Sequence, residues 1–303
     1  MDRREFLKRA AALGIGGAAL LVPRSVRSVF AAARSHPGLA AVRGGEPGEM
    51  FDRGVEALGG MGRFVKKGQT VVIKPNMSWD VPPEGGANTN PALVERIVKR
   101  CLEAGASKVY AFDHTCDLWR RSYKNSGVED AVRRAGGVAA PADSGGYYQK
   151  VSIAGGKVLK EVSVHELLLE CDVFINVPVL KHHGGAGITM GMKNLMGTVW
   201  NRGEFHSKGL HQCIADISLF RRPQLTVIDA YRMMSRNGPR GTSPGDLRVL
   251  KAQILSTDIV AADTAAARIF GADPANVAYI RSAAGMGVGT MDLEALGVER
   301  IAL

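Results

Sequence analysis

The chain has 303 residues, 46% apolar and 6% aromatic, with 39 Lys and Arg against 29 Asp and Glu for a formal charge of +10. No basic stripe interleaves with aromatic residues, which argues against nucleic-acid binding. A modest basic excess favours small anionic ligands or anionic surfaces instead.

Residues 1–33 have the order of an export signal. Arg3 and Arg4 precede Phe6-Leu7-Lys8, a Gly/Ala-rich apolar run follows from Ala10 to Val22, and small residues stand at Ala31 to Ala33. Paired arginines point to the twin-arginine route, and so to that machinery as a partner and a periplasmic or otherwise exported location. The run is too short for a bilayer span, which takes roughly 20 residues, and the mature chain is expected to have none. The twin-arginine route carries folded proteins, often with a cofactor already inserted. Loss of residues 1–33 removes six basic and two acidic side chains, so the charge falls from +10 to +6.

Residues 34–48 are rich in Gly, Pro and Ala and read as a linker, with one domain over 49–303. A helix is expected over 49–64, from the stripe Met50, Val55, Leu58 and Met61. The strand Thr70–Ile73 leads to Lys74-Pro75-Asn76. Asn90-Pro91 opens a helix ending near Gly105. The strand 108–112 closes on Asp113-His114-Thr115-Cys116, and a helix covers 128–134. A hairpin turns at Gly155-Gly156. The apolar run 173–180 is a buried strand that ends in Lys181-His182-His183. A helix from about 208 to 220, a strand 225–228 ending in Asp229, a Gly/Pro-rich loop 233–246, a strand 249–255 and a helix 259–270 complete the pattern. Alternation of strands and helices predicts an α/β protein: a mainly parallel sheet with helices on both faces, Rossmann-like layering and a small second lobe.

If the strands are parallel, the polar groups after them gather on one rim: Lys74/Asn76, Asp113/His114, Lys181/His182/His183, Asp229 and Thr257/Asp258. Imidazoles bind metals, so His182, His206 and His211 with Asp113 are the candidate ligands of a divalent metal. Their spacing is not diagnostic, and adjacent His182 and His183 point opposite ways in extended backbone. The glycine-rich stretch Gly184 to Gly191 resembles an anion-cradling loop leading into a helix. Gly187, Thr189, Lys193 and Asn194, with Lys74 and Asn76, are the candidate cofactor-binding residues; Arg202 and Lys208 would add charge. Lys181, His182, His206 and Asp229 are the candidate catalytic set. Cys101, Cys116, Cys171 and Cys213 form no C-x-x-C or ferredoxin spacing. Cys101 and Cys213 read as small buried hydrophobes, whereas Cys116 lies in a polar turn.

Taken together, an ordered set of segments carries a family likeness. It comprises Ile73-Lys-Pro-Asn76, Phe112-Asp-His-Thr-Cys116, Asn176-Val-Pro-Val-Leu-Lys-His-His183, Met192-Lys-Asn-Leu-Met-Gly197, His206, Ala215-Asp-Ile217, Val227-Ile-Asp229 and Ala261-Ala-Asp-Thr264. Over roughly 68–290 the chain resembles the domain of unknown function 362 family. The resemblance marks Lys74, Asn76, Lys181, His182, Lys193, Asn194, His206, Asp216 and Asp229 as motif positions without giving them roles. Some relatives carry an appended ferredoxin-like module and are labelled iron–sulfur proteins; this chain lacks that cysteine-rich module. Two readings follow. One is an exported enzyme acting on a small anionic molecule, metal-assisted or not; the other is a periplasmic redox accessory that holds an iron–sulfur cluster or organic cofactor without turnover.

Overall fold

A computed structural model describes residues 36–303, so the expected export signal over 1–33 lies outside the described residues. In chain order the first strands are β1 (Leu39–Arg43), β2 (Thr70–Pro75), β3 (Lys108–Ala111), β4 (Val138–Ala139), β5 (Tyr148–Ser152) and β6 (Glu161–His165). They are followed by β7 (Val173–Val177), β8 (Val179–His183), β9 (Gly187–Thr189), β10 (Leu225–Met234), β11 (Leu247–Ser256) and β12 (Val298–Ala302).

The main sheet runs β12-β1-β11-β10-β7-β2-β3-β4, with β8 beside β10 and β9 beside β8. β10, β7, β2, β3 and β4 are mutually parallel, while β11 is antiparallel to both β10 and β1. The fold is therefore α/β with a mainly parallel mixed sheet, and β5 with β6 forms a separate two-stranded sheet. Side-chain alternation splits the strands between two cores. Val71, Ile73, Val173 and Ile175 face one core, where helix Pro91–Glu103 packs; Val72, Phe174, Ile228 and Ile254 face the other, against helix Ile259–Phe270. Helices thus cover both faces.

Local chemistry explains most boundaries. Asn90 Oδ1 accepts from the Ala92 amide at 3.0 Å and Pro91 takes the first helical position, so the helix starts where its free amides are satisfied. Leu93, Val94, Ile97, Val98 and Cys101 then form its buried stripe. Two expectations are corrected. Residues 39–43, read as linker, are β1, held between β11 and β12; with two alanines and a single β-branched residue, Val42, they carry little strand signal. The helix expected over 49–64 is Pro47–Ala57, followed by a single 3-10 turn, Met61–Arg63.

The apolar run 173–180 is broken at Pro178. Before it, β7 bonds to both β10 and β2, ending at the pair Pro75/Val177. Beyond it, β8 stays with β10 but pairs with β9 in place of β2. A proline cannot donate to the ladder, and the chain leaves β2 there. A crevice opens between the end of β2 and β8. Among the described residues no helix is long and apolar enough to cross a membrane.

Candidate functional site

The crevice is a cavity of about 370 Å³. One wall is Lys74, 1% exposed, near the end of β2. Its ammonium meets Asp113 Oδ1 at 2.9 Å and donates to the Pro75 carbonyl at 2.7 Å and to Asn194 Oδ1 at 3.0 Å. Asp113 Oδ2 accepts from the Met77 amide and the Ser78 hydroxyl. Asn194 Nδ2 donates to the Lys74 carbonyl and to Asn176 Oδ1. Burying two charges costs several kcal/mol each, and this pair is tolerated because both partners find further hydrogen bonds. Burial still lowers the Lys74 pKa, with Asp113 opposing. Gly197 packs against the pair: a Cβ there would overlap the Asp113 carboxylate and come within 2.5 Å of Lys74 Cε.

Lys181 has no such partner. It too is 1% exposed; its amine donates to the Ala87 carbonyl and lies 5.6 Å from the centre of the Trp79 ring. Burial lowers its pKa to about 7, opposed by Cys116 and reinforced by Lys193. Lys193 is half-buried on the same cavity, and its ammonium has no hydrogen-bond or ion-pair partner among the described residues. Burial, with Arg202 and Lys74 nearby and Cys116 opposing, lowers its pKa to about 8. Arg202 donates to the carbonyls of His114 and Thr115 and to Cys116 Sγ, and to no carboxylate. Four cationic side chains therefore share a cavity lined by one carboxylate, which already serves Lys74.

Two buried polar groups on the lining also lack hydrogen-bond partners among the described residues. The Asn76 side chain, 7% exposed, leaves Oδ1 unbonded, and Thr189 Oγ1, on a residue 4% exposed, is unbonded as well. Native proteins rarely leave buried polar atoms unsatisfied, and a water or a ligand in the cavity would complete both.

The structure divides the residues singled out from sequence. Lys74, Asn76, Asp113, Lys181, Thr189, Lys193, Asn194 and His206 meet on the cavity, together with Arg202 and Cys116. His182, His211, Asp229 and Gly187 do not. His183 takes the place of His182: β8 alternates, so Lys181 and His183 share a face, and His182 turns away to accept from the Gly238 amide at 3.1 Å. That choice was readable from the two-residue period once Lys181 was placed. His183 Nδ1 accepts from the amides of Gly185 and Ala186, so the proton of its neutral ring sits on Nε2. Burial lowers its pKa to about 3. His211 stacks on Tyr279, centroids 5.9 Å apart.

Asp229 lies inside β10, which runs on to Met234 through a bulge after Ala230. Its carboxylate accepts from the Asn90 and Tyr231 amides, and burial raises its pKa to about 6. Asp216 accepts from the amides of Lys157, Val158 and Leu159, fixing the β5–β6 turn. Thr257 and Asp258 end β11, which runs the other way, so they sit at the opposite edge of the sheet. Lys208 is exposed and paired with Glu204.

The glycine-rich stretch is not an anion cradle. Gly184 to Gly187 turn the β8–β9 hairpin, and the His183 ring consumes two of the loop amides. The helix that follows is four residues long, Gly191–Asn194, and its Gly191 and Met192 amides donate to Asp263 at 2.5 and 3.0 Å. What remains for an anion is side-chain charge, not backbone. The candidate metal ligands His182, His206, His211 and Asp113 do not converge, and among the described residues no three His, Cys, Asp or Glu side chains are placed to hold a metal ion. Cys101, Cys171 and Cys213 are buried apart from the cavity and Cys116 alone reaches it, which does not fit an iron–sulfur cluster held by four thiolates.

Comparison with known proteins agrees with the motif order. A thylakoid-associated protein of Synechocystis sp. is 27% identical over 231 residues, covering 74% of this chain and 70% of that protein. Among solved structures, the lactate racemase apoprotein of Thermoanaerobacterium thermosaccharolyticum is 14% identical with a TM-score of 0.48, covering 76% of this chain and 56% of that one. A Thermotoga maritima protein is likewise 14% identical with a TM-score of 0.46, covering 74% and 58%. The chain thus spans little more than half the length of either solved structure. Residues 71–268 match the family described as Domain of unknown function (DUF362), and the chain belongs to that family.

Proposed function

We propose that the crevice between β2 and β8 binds a small molecule bearing at least one anionic group and that the protein is an enzyme acting on it. Lys193 and Arg202 hold the anion, Asn76, Thr189 and the Nε2–H of His183 orient the rest of the molecule, and Lys181 and His206 are the groups able to move protons. The observation that carries this is the charge imbalance: Lys181, Lys193 and Arg202 line a cavity whose one carboxylate is bound to Lys74. Like charges packed together in low dielectric are costly, and a bound anion relieves that cost.

The test is calorimetric titration of inorganic phosphate, oxalate and pyruvate into the full chain at low and high salt. At least one should bind, and Lys193→Ala and Arg202→Ala should each weaken it about tenfold or more, since charged hydrogen bonds are worth roughly 1.5–3 kcal/mol. Binding that neither substitution changes would overturn the reading. We also propose export through the twin-arginine route to the periplasm; fractionation should find the chain retained inside cells when Arg3→Lys and Arg4→Lys are combined. Unchanged export of that variant would contradict this.

A further inference from the structure

We propose that Lys181 is a nucleophile that forms an imine with an anionic aldehyde or ketone, a 2-oxo acid being the simplest member of the class. This rests on the anion-binding reading above and names the substrate class for it. Three features separate Lys181 from the other cavity lysines. Lys74 is tied to Asp113 and two carbonyl oxygens, so its nitrogen has no free direction. Lys193 is only half-buried. Lys181 is fully buried yet lines the cavity, with one backbone acceptor, Ala87, and no carboxylate. Desolvation beside other cations favours the neutral amine, the form that attacks a carbonyl.

The neighbouring strand supplies the second element. Thr189 is the register partner of Lys181 across the β8–β9 hairpin, and its buried hydroxyl has no partner. A hydroxyl there can hold the oxygen that leaves. The Lys181 nitrogen lone pair forms the bond to the carbonyl carbon, the carbonyl π pair moves to oxygen, and one proton passes from that nitrogen to the oxygen. The resulting carbinolamine then loses that oxygen as water, with one further proton, as nitrogen forms the C=N bond. The sum is amine, carbonyl compound and one proton giving a protonated imine and water, with no oxidant or reductant. Lys193 and Arg202 keep the substrate carboxylate.

The experiment incubates the full chain with pyruvate or glyoxylate and sodium cyanoborohydride, then measures intact mass and maps the modified peptide. A single reduced adduct on Lys181 is expected, with Lys181→Arg and Lys181→Met each lowering it at least about tenfold. Thr189→Val, which keeps the shape, should slow adduct formation about tenfold, the worth of one hydrogen bond to the departing oxygen. Circular dichroism checks that each variant is folded. If pyruvate or oxalate binds by calorimetry but no adduct forms, or the adduct maps to other lysines, the imine is overturned and the anion site stands. If none of the anions binds, both readings fall.

Discussion

Replacing Lys181 with methionine should make the protein more stable at neutral and acid pH. The side chain is 1% exposed, and its pKa falls from 10.5 to about 7 chiefly through burial. At roughly 1.4 kcal/mol per pK unit, that fall costs the fold about 5 kcal/mol when the amine is protonated in both states. Methionine is close in length and removes the cost, but it strands the Ala87 carbonyl, an offset of about 1–3 kcal/mol. Lys181→Met should therefore gain about 2–4 kcal/mol at pH 6. The sign with pH is fixed. The folded amine holds its proton less tightly than the unfolded one, so the cost is full below pH 7, shrinks as pH rises toward 10.5, and is absent above it. By pH 9 about 2 kcal/mol remains and the two proteins should be nearly equal. Urea unfolding at pH 6 and pH 9, followed by tryptophan fluorescence, measures this. A variant less stable than the parent at pH 6, or a difference that does not change with pH, would refute the reasoning.

Other substitutions probe the polar wall. Asp113→Asn leaves the Lys74 ammonium buried with neutral acceptors only, and urea unfolding should show a loss of about 3–5 kcal/mol. Gly197→Ala pushes a methyl into the same ion pair and should cost at least about 3 kcal/mol. Gly203→Ala, with nothing within 4 Å of the added carbon, should stay within about 0.5 kcal/mol of the parent. Asp263→Asn puts an amide group where two backbone donors, Gly191 and Met192, now meet a carboxylate. Thermal melting should register a loss of about 1–3 kcal/mol.

Much of this architecture is legible because the apolar runs of β2, β3 and β8 each meet a charged residue. Lys74, Asp113 and Lys181 are found that way, and Asn90-Pro91 marks a helix start by cap chemistry alone. Strand direction is harder to read. Thr257 and Asp258 read as rim residues, yet the segment joining β10 to β11 holds only a single 3-10 turn, Pro244–Asp246, and a parallel connection would need a longer crossover. Asp229 looks like a strand end because it is charged, but two amides satisfy it within a longer strand. The glycine run Gly184–Gly187 serves a hairpin as well as it would serve a phosphate. Only the contacts of His183 and Asp263 decide between these, and both depend on residues brought together by the fold.

The central claim is that Lys193 is held short of its proton until an anion joins it. Titrating oxalate at pH 8 in buffers of different ionisation enthalpy counts the protons exchanged on binding. Binding should take up protons, because an anion held by Lys193 raises its amine pKa from about 8; Lys193→Ala should reduce both the uptake and the affinity. Binding with no proton exchange, or with release, would contradict the account.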